Sequence, residues 1–258
     1  MPRLVILGCL SSLLATFAAG VSAFAGDIET PKGVVELFTS QGCSSCPKAD
    51  KALETLIREG NVVALAYHVD YWNYLGWTDT MSSKENTDRQ YAYARMFGRG
   101  SVYTPQAVIN GREHVNGGNI AQIRNQLEEL SAEGRGLSVK VSADIVQDEL
   151  RINIGNGQGK ANVIVAYFDG EQSVDIEEGD NRGRRVDYWH AVTNMETIGM
   201  WEGKETSLVL PADMLKRKSN GGCAILLQRM KTADTPGAIL GAAVITTGAM
   251  PSETANRR

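Results

Sequence analysis

The apolar positions of this chain fall into short runs separated by polar turns. The first run, residues 34–38, is apolar apart from Glu36 and has the length of a buried strand. Polar turn residues follow. Then Ala49, Leu53, Leu56 and Ile57 recur at spacings of three and four, which predicts a helix over residues 47–58. Pro47 is tolerable because it falls in the first turn. Glu59, Gly60 and Asn61 supply the stop signal. Residues 61–68 read as a second buried strand, parallel to the first. Residues 70–100 differ in character. An aromatic cluster of Tyr71, Trp72, Tyr74 and Trp77 leads into a polar helix over 82–97, with Tyr91, Ala94 and Met96 on its inner side. A strand over 106–109 meets Asn110-Gly111, a strong hairpin signal, and returns over 113–115. Ile120, Ile123, Leu127 and Leu130 predict a helix over 119–132, capped by Asn119 or Gly118.

The texture changes after residues 134–136. Residues 137–145 and 150–154 alternate with period two, and Asn156-Gly157 and Gln158-Gly159 mark turns. Further strands are predicted over 163–168, 186–192, 207–210, 223–228 and 239–245. The expected architecture is an α/β unit over residues 26–134, carrying a helical insertion at about 70–100. An antiparallel β-sandwich over 137–250 and a tail over 251–258 would follow.

Composition narrows the setting. Hydrophobic residues make up 43% and charged residues 22% of the 258, as in a soluble globular protein. A net charge of −4 and the absence of a Lys/Arg run argue against nucleic acid and anionic membrane as partners. Arg3, an apolar stretch over 4–20 and the small-x-small pattern Ala23-Phe24-Ala25 form a secretory signal over residues 1–25. A membrane anchor is the rival reading. Ser11, Ser12, Thr16 and the cleavage pattern favour the signal, so no stable membrane insertion is expected after its removal, and Cys9 leaves with it. The expected location is periplasmic or secreted, where disulfides persist.

Three cysteines remain, Cys43, Cys46 and Cys223. Cys223 lies in a strand-like apolar run and reads as a buried core thiol. Cys43 and Cys46 form a Cys-x-x-Cys pair at the junction of a strand and a helix N-terminus. Unpaired amides and the helix dipole stabilise a thiolate there, and both sulfurs share one turn, close enough to bond. Cys43, beside Gly42, is expected at the exposed helix end as nucleophile, with Cys46 as resolving thiol. Lys48 adds positive field. Two other readings stay open for the pair: a copper(I) clip, with His68 or Met96 as further ligand, and an inert disulfide.

Cys43-Ser44-Ser45-Cys46, together with Thr104-Pro105 heading the strand that turns at Asn110-Gly111, resembles the thioredoxin fold over about residues 33–132. The resemblance implies a cis Pro105 facing the disulfide. Thr104, with Tyr103, would then lie beside an extended substrate chain. It also implies a buried acid relaying protons to the inner cysteine, a role open to Glu36; the rival reading puts Glu36 on a solvent face. More narrowly, residues 35–47, His68-Val-Asp-Tyr-Trp72, Leu75-Gly-Trp77, Arg89-Gln-x-x-Tyr93 and Tyr103-Thr-Pro-Gln106 resemble a family of exported bacterial thioredoxin-like proteins of unknown function.

His68, Asp70, Tyr71, Trp72 and Trp77 follow the second strand at its C-terminal end, where sites gather in open α/β sheets. They wall the disulfide or pack beneath the inserted helix. Residues 180–185, with Tyr188 and His190, read as a solvated charged loop. Against the first unit, the loop would offer a surface to an acidic segment. The expectation is an exported thiol–disulfide oxidoreductase acting on other proteins' thiols, with no diffusible cofactor. The alternatives are a copper(I) chaperone and a non-enzymatic binding module with a structural disulfide.

Overall fold

The computed structural model describes residues 30–247. The segment over 1–25 expected to be a signal, Cys9 and the tail over 251–258 lie outside the described residues. The first half runs β1 (Val34–Thr39), α1 (Pro47–Glu59), β2 (Val63–His68), a 3₁₀ turn (Asn73–Leu75), α2 (Lys84–Met96), β3 (Gln106–Ile109), β4 (Glu113–Asn116) and α3 (Ile120–Ala132). β1 lies parallel to β2, from Val34 opposite Val63 to Thr39 opposite His68, and antiparallel to β3.

Local chemistry sets the ends. Pro47 opens α1, and Gly60 closes it in the left-handed region, its N–H donating to the Ile57 carbonyl. The Ser83 side chain caps α2 by accepting from Asn86 N, and Asn119 caps α3 by accepting from Gln122 N. Asn110 and Gly111 both have positive φ, 50° and 60°, as a tight primed turn requires.

The inner face of α2 differs from expectation. Tyr91 is 43% exposed, whereas Tyr93 and Gln90 are fully buried. Asn86, Thr87 and Gln90 point inward, so hydrophobic spacing does not report the buried face of this helix.

The second half contributes β5 (Val141–Val146), β6 (Glu149–Ile154), β7 (Ala161–Asp169), β8 (Gln172–Asp175), β9 (Arg185–Tyr188), β10 (Ala191–Trp201), β11 (Thr206–Pro211), α4 (Asp213–Lys218), β12 (Gly222–Thr232) and β13 (Thr235–Thr246). The molecule is mixed α/β, with a large central sheet and few helices. That sheet has eight strands in the order β13-β12-β7-β10-β2-β1-β3-β4, so it draws on both sides of residues 134–136. The joint is β10 beside β2, parallel, with Ala191 opposite Ala66. The strand expected over 186–192 is broken by His190, whose φ is 50°. Its first part pairs with β8 and its second enters the central sheet.

Three apolar layers hold these elements. Val35, Leu37 and Ala64 meet Leu53, Leu56 and Ile123 of α1 and α3. The opposite face of the first half is continuous with the second: Phe38, Leu65 and Tyr67 pack with Tyr93 of α2 and with Ile164, Phe168, Leu226 and Ile239. The three-stranded sheet β11-β6-β5 lies over β7, β12 and β13, burying Ile152, Val165, Trp201 and Ile225. The sheet curls until Ile239 N donates to the Asn110 carbonyl at 2.9 Å. A Cβ on Gly111 would stand 2.3 Å from the Gly237 carbonyl oxygen, so this closure needs glycine. Among the described residues no helix is long and apolar enough to cross a membrane.

Candidate functional site

The turn between β1 and α1 carries the cysteines. Cys43 N donates to the Ser40 carbonyl and Cys46 N to the Cys43 carbonyl, while the Cys46 carbonyl accepts from Ala49 and Asp50 at the mouth of α1. Cys43 and Cys46 form a disulfide, S–S 2.11 Å and Cα–Cα 5.3 Å. Ser44 and Ser45 are exposed, but the cysteines are not: Cys43 is 1% exposed and Cys46 0%. The expectation of an exposed Cys43 is thus corrected. Trp72 lies against the turn, within 3.1 Å of where a Cβ on Gly42 would be. From the second half, Asn181 Nδ2 donates to the carbonyls of Gln41 (2.8 Å) and Cys43 (2.9 Å). This cover comes from residues distant in sequence, so the local pattern does not announce it.

Thr104-Pro105 is the cis peptide. Pro105 shares an open groove of about 460 Å³ with Ser45, Lys48, Asn116, Gly118 and Asn119. Trp72 Nε1 donates to Thr104 Oγ1 (2.8 Å) and Trp77 Nε1 to Gln41 Oε1 (2.8 Å). Trp72, Trp77, Thr104 and Pro105 are therefore gathered round the cysteine turn. Tyr103 turns its hydroxyl to His114 Nδ1 on β4 (2.9 Å).

Glu36 is not gathered there. Side chains alternate along β1, and Glu36 shares the face of Phe38, away from α1. It is fully buried, pairs with the Arg89 guanidinium and accepts from the Tyr93 hydroxyl. That guanidinium lies over the rings of Tyr67 and Tyr93, at 5.4 and 5.1 Å. The structure thus gives Glu36 neither the relay position nor a solvent face.

A buried acid, Asp50, follows Cys46 by four residues on α1. Residues at that spacing stack, and helix side chains lean toward the N-terminus, which here is the cysteine end. Asp50 Oδ1 accepts from Thr39 Oγ1 at 2.7 Å. Burial pushes its carboxyl up to about 7, against the pull of His68 and the Thr39 hydroxyl. His68 lies beside Thr39 in the sheet, and its Nδ1 is 2.8 Å from Asp79 Oδ2. Burial works against the imidazolium, but the Asp79 carboxylate outweighs it and lifts His68 above its usual range. Burial also works against the Asp79 charge; His68 and the amides of Gln41 and Met81 outweigh it and hold Asp79 low. Asp79 Oδ2 accepts from Gln41 N at 2.8 Å, so the insertion braces the cysteine turn from below.

Asp50, Asp79, Gln41 and Asn181 escaped the sequence reading. Asp50 had a signal: it sits between Ala49 and Leu53 on the buried stripe of α1, where a charge is out of place. Asn181 had none beyond its charged neighbours. The loop over 180–185 is mixed, with a buried Asn181 (1%) between exposed residues. Arg184 and Arg185 line a groove of about 410 Å³ with Pro47, Lys51, Glu54 and Asp187.

Cys223 is buried in the layer with Ile225 and Leu227, and burial pushes its thiol up to about 12. Met96 packs on the α2 side, the face opposite α1, while His68 is held by Asp79. Among the described residues no group of three or more His, Cys, Asp or Glu side chains is arranged to hold a metal ion.

Fold and site together define a mixed α/β protein with a buried Cys-x-x-Cys disulfide at a helix mouth beside a cis-proline. The family model described as Protein of unknown function (DUF1223) matches residues 34–228, and the chain belongs to that family. A crystal structure of protein AGR_C_4864 from Agrobacterium tumefaciens, a structural-genomics target, is similar to it. The two are 51% identical with a TM-score of 0.79, over 87% of this chain and 98% of that one. No curated protein matches the chain.

Proposed function

We propose that the protein is an exported thiol–disulfide oxidoreductase that exchanges electrons with other proteins' thiols through Cys43 and Cys46. One observation carries this reading: the disulfide stands at the mouth of α1 with a buried, neutral-range acid one turn behind it. The cis Thr104-Pro105 peptide and its groove beside Ser45 add support. So does the run β1-α1-β2-α2-β3-β4-α3, which we read as thioredoxin-like over residues 26–134, with residues 137–250 as a sandwich-like companion. Export rests on the signal over residues 1–25.

A partner thiolate attacks Cys43 Sγ, the Cys43–Cys46 bond breaks, and a mixed disulfide forms. Cys46 leaves as a thiolate and takes a proton from Asp50, which is poised to donate near neutral pH. A second partner thiol, giving up its proton, attacks the mixed disulfide and frees Cys43. Two electrons have then passed from the partner to this protein, and the reverse sequence oxidises Cys43 and Cys46 again. Thr104 and Pro105 would flank the partner chain, with Trp72 and Trp77 as walls.

Burial of both sulfurs favours a second reading, a binding module with a structural disulfide. Trapping separates the two. In the exchange reading, Cys46→Ser accumulates mixed disulfides with partner proteins and Cys43→Ser does not. If neither variant traps a partner above the Cys43→Ser/Cys46→Ser background, the exchange reading is wrong.

A further inference from the structure

Three buried polar atoms around Asp50 have no hydrogen-bond partner among the described residues: Asp50 Oδ2, His68 Nε2 and the Tyr188 hydroxyl. They come from α1, β2 and β9. The His68 and Tyr188 rings meet edge to face with centroids 4.9 Å apart. Asp50 is fixed to Thr39, the residue beside His68 in the sheet. Orphaned polar atoms are costly in an interior, and three converging from separate elements point to a shared task. Their chemistry is complementary. A carboxylate only accepts, while Tyr188 O–H and a doubly protonated imidazole both donate. His68 and Asp50 therefore act on each other through charge, each favouring the ionised form of the other.

We propose that His68, clamped by Asp79, is a positioning residue for the disulfide: it sets the protonation state of Asp50, one turn after Cys46, and ties that state to the turn bearing Cys43. This rests on the reading of Asp50 as the proton partner of Cys46. The tie is Asp79 Oδ2, which accepts from both His68 Nδ1 and Gln41 N, each at 2.8 Å. Cys46 precedes Asp50 by one turn on the same helix, and the groups that act on Asp50 from other elements are Thr39 on β1, His68 on β2, Asp79 on the insertion and Tyr188 on β9. His68 holds the carboxyl down, whereas burial and Asp79 push it up. When the Cys46 thiolate takes the Asp50 proton, the imidazolium stabilises the new carboxylate through its charge. No other reactant is needed.

The test is a carbon-13 carboxyl NMR titration of Asp50 in the full oxidised chain, with and without His68→Gln. Loss of the imidazolium raises the Asp50 midpoint by about one pH unit or more. Tyr188→Phe, which removes a single neutral donor, raises it by less. Should His68→Gln not fold, the wild type decides: His68 and Asp50 share their inflections if coupled. An unmoved midpoint in folded His68→Gln, or independent wild-type titrations, would overturn the assignment. A parallel measurement follows reduction of the folded protein by dithiothreitol against pH. Ready reduction with an unmoved Asp50 would remove the role of His68 and leave the exchange reading intact. Failure to reduce would overturn the exchange reading, and with it any positioning role.

Discussion

Asp50 shows how one residue's surroundings decide its chemistry. An acid on the buried stripe of an amphipathic helix is costly as an anion, and burial duly pushes its carboxyl from 3.8 up to about 7. The sign of the stability effect follows. The folded state binds the Asp50 proton more tightly than the unfolded state, so this residue costs nothing below pH 3.8. Its cost grows as pH rises toward 7 and is constant above that. Asp50→Asn keeps an acceptor for Thr39 and removes the charge. At pH 8 it should stabilise the protein by up to about 4 kcal/mol, at about 1.36 kcal/mol per pKa unit, and near pH 4 by almost nothing. Urea unfolding at the two pH values checks this; equal effects at both would mean that Asp50 is not held near 7. The acid expected from the sequence was Glu36, whose place in an apolar run left both a buried and a solvent-facing position open. Which face it took was not legible, because that depends on Arg89, fifty-three residues away in sequence.

Elements with a strong local signal appear where the sequence puts them. α1 has its proline, its apolar stripe and its Gly60 stop, and the hairpin at Asn110-Gly111 has the residues that tolerate positive φ. α2 was legible as a helix but not as to its buried side, because Gln90, Asn86 and Thr87 are satisfied by bonds to Tyr103, Gln106, His68 and Asp70 instead of by apolar contact. Least legible was the loop between β8 and β9. Its charged residues suggested a solvated turn, yet Asn181 is latched onto the cysteine turn by two hydrogen bonds. Asn181→Ala leaves both carbonyls without that donor. Losing about 1.4 kcal/mol of closure corresponds to roughly tenfold easier opening, so reduction of the disulfide by dithiothreitol should speed up by about that factor. An unchanged rate would mean that Asn181 does not limit access to Cys43.

At the scale of the whole molecule, period-two patterning reported the strands of the second half but not their destination. The short pairing of β10 with β2 and the closure of β13 onto Asn110 are long-range pairings with no local signature. They make one sheet, with an apolar layer shared across residues 134–136. Calorimetry should therefore show one cooperative unfolding transition. Gly111→Ala, forced against the Gly237 carbonyl at positive φ, should lower its midpoint by the equivalent of about 1–3 kcal/mol. Two separated transitions, with only the earlier one moved, would contradict a shared core. The same continuity puts a lid from the second half over a disulfide in the first, so exchange requires that lid to open while the sheet stays folded. The direct test is the reduction potential of Cys43–Cys46, from equilibration of the protein with dithiol buffers of graded potential under native conditions. The account predicts reversible two-electron exchange with the sheet intact throughout, lost in Cys43→Ser and Cys46→Ser. A disulfide that stays oxidised until the whole molecule unfolds would contradict it.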